Sequence, residues 1–298
     1  MAPATFARVG EQSAVVAQPA DEQQRQAALQ ALLACPTFSI HCTDRRPGEL
    51  KAAQESFPLP IPGCPGVYHT GFAAEASFGA TAYFIRRPQG NILVDVPRWT
   101  PLLAQRLAAL GGVRWIFLTH RDDVGDHAAW AAHFGAQRII HRLEASRRQG
   151  TDQCEVQLEG EGPWTLPEKS SSSSNQMPVS SSSSNSSSGD ADAAPDVQLL
   201  FTPGHTAGCV SLLFQPHGGV LFTGDHLAYS QRLERLTIFR AYNWHSVAQQ
   251  LDSVARLRQL PFLTVLPGHG RRAQFGSAQE REQQLASLLA AEGWHGSG

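Results

Sequence analysis

Apolar segments that end in histidine or aspartate recur through this sequence. The segments are NILVD, VRWIFLTH, VQLLFTPGH, VLFTGDH and FLTVLPGH, which bring Asp95, His120, His205, Asp225 and His269 to their ends. Short apolar runs bounded by turns predict buried strands. The carboxyl ends of such strands are where an α/β scaffold places a site. The sequence therefore predicts an α/β fold with a polar site along one rim.

Helices and hairpins are predicted between and around these strands. The predicted helices cover 24–34, 101–111, 126–135, 243–260 and 278–293, and the predicted hairpins cover 81–96 and 209–226. The Pro/Gly-rich stretch FPLPIPGCPG marks a boundary. We therefore expect an N-terminal extension at 1–56, partly disordered or helical, followed by a main domain at 57–298.

A serine-rich segment interrupts the main domain at about 169–196. Its almost complete lack of apolar side chains means that burial cannot offset the entropy of ordering it. Because the strand pattern resumes directly after it, we expect a disordered insertion, not a linker between domains.

Composition restricts the kind of partner and compartment. A net charge of −2 with 17% charged residues gives no basic surface for nucleic acid or an anionic membrane. No apolar run approaches the roughly 18 residues of a membrane span, so we expect neither nucleic acid nor a membrane as a partner. The cysteine count of five is odd, without a CxxC pair, which favours a reducing compartment. We expect a cytoplasmic protein, with the chloroplast as the alternative because the N-terminus is Ala- and Gln-rich.

The segment FLTHRDDVGDH, residues 117–127, concentrates two histidines and three aspartates behind an apolar run. Imidazole and carboxylate donors without thiolate suit zinc, iron or manganese. The alternative without a metal is a polar loop in which Asp126 caps the following helix.

Four segments in order carry a resemblance to a known family. THRDDVGDH, TPGHTAGCVSLLF, LFTGDHL and VLPGHG resemble the metallo-β-lactamase superfamily of metallo-hydrolases and oxidoreductases over roughly residues 66–292. The wording HRDDVxDH, with GHGRR near the end, also resembles a branch seen in photosynthetic organisms. The resemblance implies an αβ/βα four-layer sandwich with two divalent metal ions on one edge, first of all zinc, with iron or manganese as alternatives.

The resemblance also implies a ligand set and two candidate catalytic residues, Asp126 and Asp225. The implied roles are His120 and His205 on the first metal, Asp126, His127 and His269 on the second, Asp225 bridging both, and Asp95 bracing the loop.

One departure from the family pattern matters. The pattern is His-x-His-x-Asp-His, whereas here Asp122 stands at the second histidine and two extra residues precede Asp126-His127. In one hypothesis Asp122 is a metal ligand, and residues 123–125 bulge outward, with Gly125 supplying the permissive backbone. In the other, Asp122 faces away and the first site binds weakly through His120, His205 and Asp225. Whether Asp122 or Asp123 replaces the missing histidine stays open at this point.

The expected activity is hydrolysis of a small acyl compound, an ester, thioester or lactone. Divalent cations make hydroxide available at neutral pH and polarise a carbonyl. Two alternatives stay open: a mononuclear iron oxygenase acting on a small thiol or persulfide, and a non-catalytic scaffold.

Two further features await the structure. LLACPTFSIH resembles the closing turn of a ferredoxin-type cluster motif, but the other cysteines of such a cluster are absent. Arg121, Arg271 and Arg272 are candidates for contact with an anionic substrate, or are simply solvated.

Overall fold

The computed structural model describes residues 2–10, 12–166, 179–180 and 195–296. The helices in this part of the chain are α1 (Glu22–Ala34), α2 (Glu49–Glu55), α3 (Pro101–Ala109), α4 (His127–Phe134), α5 (Val247–Leu257) and α6 (Ala278–Ala291).

The strands are given in chain order. They are β1 (Phe6–Val9), β2 (Gln12–Val15), β3 (Leu59–Pro60), β4 (Val67–His69), β5 (Tyr83–Ile85), β6 (Ile92–Val94), β7 (Trp115–Phe117), β8 (Gln137–His141), β9 (Val156–Leu158), β10 (Trp164–Thr165), β11 (Val179–Ser180), β12 (Val197–Phe201), β13 (Val210–Phe214), β14 (Val220–Gly224), β15 (Ala228–Ser230), β16 (Arg235–Thr237), β17 (Thr264–Pro267) and β18 (Ala273–Gln274).

Two mixed sheets of seven strands form the centre of the molecule. One has the order β3-β4-β5-β6-β7-β8-β9, and the other has the order β11-β10-β12-β13-β14-β17-β18. Strands β6 to β9 run parallel, as do β14 and β17. The remaining neighbours pair antiparallel, including the predicted hairpins β5-β6 and β13-β14.

The sheets pack face to face, with helices outside. One buried cluster joins inward residues of both sheets, such as Phe117 and Phe222. A second lies between the first sheet and helices α1, α3 and α4 and includes Leu33, Leu107 and Trp130. A third joins the second sheet to α5 and α6. The predicted αβ/βα four-layer sandwich is confirmed.

Local signals set the helix boundaries. Thr100 accepts a hydrogen bond from the Leu103 amide and precedes Pro101 at the first turn of α3. Ser246 and Ser277 cap α5 and α6 in the same way. Gly135, at φ +62°, ends α4.

The N-terminal region is more ordered than its sequence suggests. Where disorder or weak helix is expected, β1 and β2 pair as a hairpin in full register. The predicted disordered insertion at 169–196 lies outside the described residues except for 179–180 and 195–196. Residues 179–180 form β11 beside β10. Among the described residues, no helix is long and apolar enough to cross a membrane.

Candidate metal centre

Four loops bring histidine and aspartate side chains together at one rim of the sandwich. His120 follows β7, His205 follows β12, Asp225 follows β14 and His269 follows β17. Strands β12, β14 and β17 run in one direction, because β13 is antiparallel to β12 and β14 and β17 is parallel to β14. Their carboxyl ends therefore meet at the same edge, as the sequence predicts.

The donor atoms of these loops lie at close range. His205 Nε2 lies 3.8 Å from Asp225 Oδ2, and His269 Nε2 lies 3.9 Å from the same oxygen. The His120 and His205 rings meet edge to face, with centroids 4.9 Å apart. Asp225 therefore stands between the two histidine loops.

Asp123 enters the cluster from the loop after β7. It is 1% exposed. Its carboxylate lies 3.6 Å from His269 Nε2 and 4.0 Å from His120 Nε2. This residue is absent from the implied ligand set.

Two overlapping groups in the described structure have donor atoms within 4.8 Å of one another. One is His120, Asp122 and His205, and the other is His120, Asp123 and Asp225. Several of the converging atoms are buried without a hydrogen-bond partner in the described chain: His120 Nε2, both oxygens of Asp123, both ring nitrogens of His205 and Oδ1 of Asp225. Buried polar atoms are normally paired, so this convergence fits a cation held by these residues.

Asp95 and Thr119 set the orientation of His120. The Thr119 amide donates to Asp95 Oδ1 at 2.9 Å, and the Thr119 hydroxyl lies 3.1 Å from both Asp95 oxygens. That hydroxyl is also 3.0 Å from His120 Nδ1. If the hydroxyl donates to Asp95, Nδ1–H donates to the hydroxyl, and Nε2 presents its lone pair to the cluster. Asp95 thus braces the loop, in the place the sequence predicts.

Gly224 allows this close packing at the end of β14. Its backbone has φ +49°, and a Cβ atom there would lie 2.3 Å from Thr119 Oγ1. Only glycine accommodates both the left-handed backbone and this approach. The TGD segment is therefore built to bring Asp225 against the Asp95–Thr119–His120 chain.

The pKa values show how strongly the carboxylates interact. Burial, then the charge of Asp123, raises the pKa of Asp225 to about 6. The same two causes raise the pKa of Asp95 to about 7. Burial lowers the pKa of His269, but Asp123 and Asp225 outweigh it and raise the value to about 9. A concentration of negative charge of this kind attracts cations.

The pKa of the His205 imidazole shifts in the opposite direction. Burial, followed by the nearby His120, lowers the pKa of His205 to about 3. A neutral imidazole is the form that binds a metal ion. His205 is therefore ready to act as a ligand at neutral pH without first losing a proton.

Asp126 and His127 are not brought to this cluster. Asp126 is exposed, and its Oδ2 accepts a hydrogen bond from the Trp99 amide at 2.7 Å. His127 begins α4, with Nε2 placed 2.9 Å from the Gln149 carbonyl and Nδ1 placed 3.3 Å from Arg138 Nη1. Both of its ring nitrogens are occupied. The extra residues rotate this pair onto the helix, and Asp123 takes the place beside His269 instead.

The positions of Asp122 to Gly125 can be compared with the two hypotheses for the departure from the family pattern. Asp122 faces His120 and His205, which agrees with the first. Residues 123–125 do not bulge outward, since Asp123 and Val124 are buried. The permissive backbone does lie at Gly125, with φ +37°.

The arginine candidates and His226 differ in exposure and in their contacts. Arg121 Nε donates to Glu144 at 2.8 Å, so its guanidinium is engaged within the protein. Arg271 and Arg272 are exposed. His226 is fully buried, and neither ring nitrogen has a partner in the described part of the chain. The sequence motifs do not single out His226, and they leave Asp123 only as an alternative to Asp122.

The fold and the rim cluster define an α/β sandwich protein with a candidate metal centre. The profile of the metallo-beta-lactamase superfamily matches residues 77–269. This match covers more than half of the 298 residues, and the chain belongs to the metallo-beta-lactamase superfamily. The fold of this superfamily typically binds two divalent metal ions, and the His/Asp cluster lies within the matched region.

Solved structures of metallo-beta-lactamases resemble the chain distantly. One from Cronobacter sakazakii with an HARLDQ motif is 20% identical, covers 72% of this chain and 81% of its own, and has a TM-score of 0.43. An archaeal superfamily protein from Sulfolobus tokodaii is 16% identical, with coverages of 76% and 87% and a TM-score of 0.47. An enzyme from Bradyrhizobium japonicum is 20% identical, with coverages of 76% and 89% and a TM-score of 0.43. No curated protein sequence matches the chain.

A second profile matches the N-terminus. Residues 1–42 match the 4Fe-4S single cluster domain of ferredoxin I, in agreement with the resemblance of the LLACPTFSIH turn. Such clusters take four cysteine ligands, and this region holds only Cys35 and Cys42. Cys35 Sγ lies 3.5 Å from the hydroxyls of Thr37 and Ser39. The residues present do not fit a cluster held by this region alone.

Proposed function

We propose that this protein is a metal-dependent hydrolase of a small acyl compound, such as an ester, thioester or lactone. The observation that supports it is the convergence of buried, unpartnered imidazole and carboxylate atoms at the sandwich rim. The site lies among loops at the ends of strands, where an α/β scaffold can admit a small molecule. Fold alone would supply only the family.

The distances suggest how two cations would be shared. His120, Asp122 and His205 form one donor group. Asp123 and His269, 3.6 Å apart, offer a second. Asp225 would contribute to both, because its Oδ2 lies within 3.9 Å of both His205 and His269. When bound, divalent cations lower the pKa of water to about 7 and polarise a carbonyl.

The protein's own residues prepare this site. The Asp95–Thr119 pair holds His120 with Nε2 toward the cluster. His205 is neutral because burial lowers its pKa. His269 is a partly open member, with 28% of its side chain exposed, and Asp122 is half-buried as well. A substrate would approach from this side of the cluster. We assign the candidate catalytic role to Asp225 and replace Asp126 by Asp123.

Three carboxylates among the donors make this set harder than one dominated by imidazole. Oxygen donors suit manganese and iron as well as zinc. Zinc remains the first expectation, with iron and manganese as alternatives.

One observation favours a second candidate function. The group of His120, Asp122 and His205 contains two histidines and one carboxylate, which is the facial arrangement of non-haem iron oxygenases. A single iron held there would support oxidation of a small thiol or persulfide. Oxygen consumption, measured with iron-loaded protein and a low-molecular-weight persulfide, separates this activity from hydrolysis.

The test of the proposed hydrolase is a substrate panel. Chelator-treated protein is reloaded with zinc, manganese or iron and assayed with aryl esters, acyl thioesters and lactones, with Asp225→Asn as the site control and Asp126→Asn as the matched control outside the cluster. We expect turnover that depends on added metal, is lost in Asp225→Asn and persists in Asp126→Asn. Metal-loaded protein that turns over no member of the panel would refute the proposal.

A further inference from the structure

Glu144 is a buried carboxylate that joins two ligand loops without being a ligand itself. It ends the short 3-10 helix Arg142–Glu144 after β8 and is 0% exposed. Its sequence position is remote from the motifs that carry the metal-centre residues. A fully buried carboxylate is costly unless its oxygens are satisfied by donors, so its partners indicate its role.

The two carboxylate oxygens of Glu144 face different loops. Oε2 accepts from the Arg121 amide at 3.2 Å and from Arg121 Nε at 2.8 Å. Oε1 accepts from the Gly208 amide at 2.6 Å. Arg121 lies between His120 and Asp122, and Gly208 lies three residues after His205. The carboxylate therefore spans the loops of the first donor group.

Additional contacts fix Glu144 and both loops around it. Arg121 Nη2 donates to the Leu143 carbonyl at 2.8 Å, and the Thr151 hydroxyl donates to the Glu144 carbonyl at 2.7 Å. A Cβ atom on Gly208 would lie 2.9 Å from Glu144 Cγ and Oε1. Glycine at 208 thus permits the backbone to approach the carboxylate directly.

We propose that Glu144 is a positioning residue for the metal centre, which holds the His120 loop and the His205 loop at the separation that lets both imidazoles bind one cation. Glutamine cannot replace it, because its amide nitrogen is a donor and would face either the Gly208 or the Arg121 donors. One of the two loops would lose its anchor. This inference rests on the metal centre of the proposed function but not on hydrolytic turnover.

Glu49 offers a matched control elsewhere in the chain. Its carboxylate accepts from Arg25 Nε at 2.7 Å, from Arg25 Nη2 at 2.8 Å and from the Arg46 amide at 3.1 Å, and 14% of its side chain is exposed. The chemistry resembles that of Glu144, but no loop of the metal centre is attached. Glu49→Gln therefore measures the loss of a comparable ion pair alone.

The experiment measures zinc affinity by competition with a chromophoric chelator, alongside thermal unfolding of the metal-free protein. We expect Glu144→Gln to weaken zinc binding roughly 10–100-fold, the range found for residues that support metal ligands. Glu49→Gln should change it by no more than about twofold, as for independent sites. Unchanged zinc affinity in Glu144→Gln would show a purely structural role and overturn the proposal, as would a wild-type chain that binds no zinc.

Two gentler variants decide the matter if Glu144→Gln fails to fold. Arg121→Gln removes the Nε donor and leaves both backbone bonds to Glu144. Gly208→Ala displaces the carboxylate without changing charge. Weaker zinc binding in both supports the proposal, and wild-type affinity in either overturns it. Because no arm of the experiment measures turnover, a protein that binds zinc but hydrolyses nothing would refute only the proposed function.

Discussion

Replacing Asp123 by asparagine should weaken zinc binding strongly and change the stability of the metal-free protein little. Asp123 is buried, and neither oxygen has a hydrogen-bond partner among the described residues. Its charge is the second cause, after burial, of the raised pKa of Asp225, and it also raises the pKa of His269, whose Nε2 lies 3.6 Å away. In the metal-free protein these two effects on stability oppose each other, whereas with a cation present Asp123 is a donor.

The magnitude follows from the pKa of Asp225. That value rises from 3.8 to about 6, which corresponds to roughly 3 kcal/mol at neutral pH. A carboxyl whose pKa is raised by folding lowers stability once the pH exceeds its unfolded value. With burial as the larger cause, removing Asp123 should return about 1 kcal/mol through Asp225. The same change weakens the ion pair with protonated His269, which should cost roughly as much. Losing a direct donor should weaken zinc binding at least as much as losing a supporting residue, by roughly a hundredfold.

The assay compares melting curves of chelator-treated and zinc-loaded protein at pH 7 for wild type, Asp123→Asn and Asp126→Asn. We expect Asp123→Asn to melt within a few degrees of the wild type without metal, because its two effects oppose each other, and to gain much less stability from zinc. Asp126→Asn keeps a side-chain oxygen that can accept from the Trp99 amide and should keep wild-type zinc affinity. Two results would refute this prediction. One is zinc binding by Asp126→Asn that is as weak as that expected of Asp123→Asn, and the other is normal zinc binding by Asp123→Asn.

The remaining predictions concern the same cluster. Asp122→Ala should reduce the zinc content of reconstituted protein by about one ion per chain, because Asp122 belongs to the donor group of His120 and His205. An unchanged zinc count in elemental analysis would contradict this. Thr119→Val removes the hydroxyl between Asp95 and His120 and should weaken zinc binding roughly 10–100-fold in a chelator competition; wild-type affinity would count against the proposed orientation of the imidazole. Metal-free protein should lose up to about 3 kcal/mol of stability as pH rises from 7 to 9, because Asp123 and Asp225 outweigh burial and raise the pKa of His269 from 6.5 to about 9. Denaturant melts should show this loss in wild type and a flatter pH profile in His269→Gln.

Much of the architecture could be predicted because its signals are local. Apolar runs of strand length ending in TH, PGH, TGD and PGH mark the strands and place His120, His205, Asp225 and His269 at one edge. Capping residues and glycines locate helices such as α3 and α4 within a few residues. The role of Asp95 as a brace for the loop is implied by the family resemblance, and the strand pattern alone places it only at a strand end.

The loop after β7 could not be predicted, because its path depends on tertiary contacts. Counting along the sequence cannot show that Gly125 turns the chain at φ +37° or that Asp126 reaches the Trp99 amide. These contacts commit Asp126 and His127 to the start of α4. The sequence does contain a signal for Asp123. The loop has more aspartates than the family pattern has aspartate positions, and the two extra residues separate Asp123 from Asp126. Only packing decides which carboxylate is buried.

Glu144 shows the same limit for long-range contacts. Its role comes from hydrogen bonds to residues 23 and 64 positions away, and nothing in RLEAS distinguishes it from an ordinary surface glutamate. Burial of a charged residue beneath two loops is a property of the folded chain alone.

The most direct test of a dinuclear centre is the amount of zinc that the protein retains after reconstitution, desalting and elemental analysis against a quantified protein concentration. We expect about two zinc ions per chain in the wild type and a clear loss in Asp225→Asn, since Asp225 lies within 3.9 Å of both His205 and His269. A wild-type protein that retains one zinc ion or none, or an Asp225→Asn protein that retains as much as the wild type, would contradict a dinuclear centre.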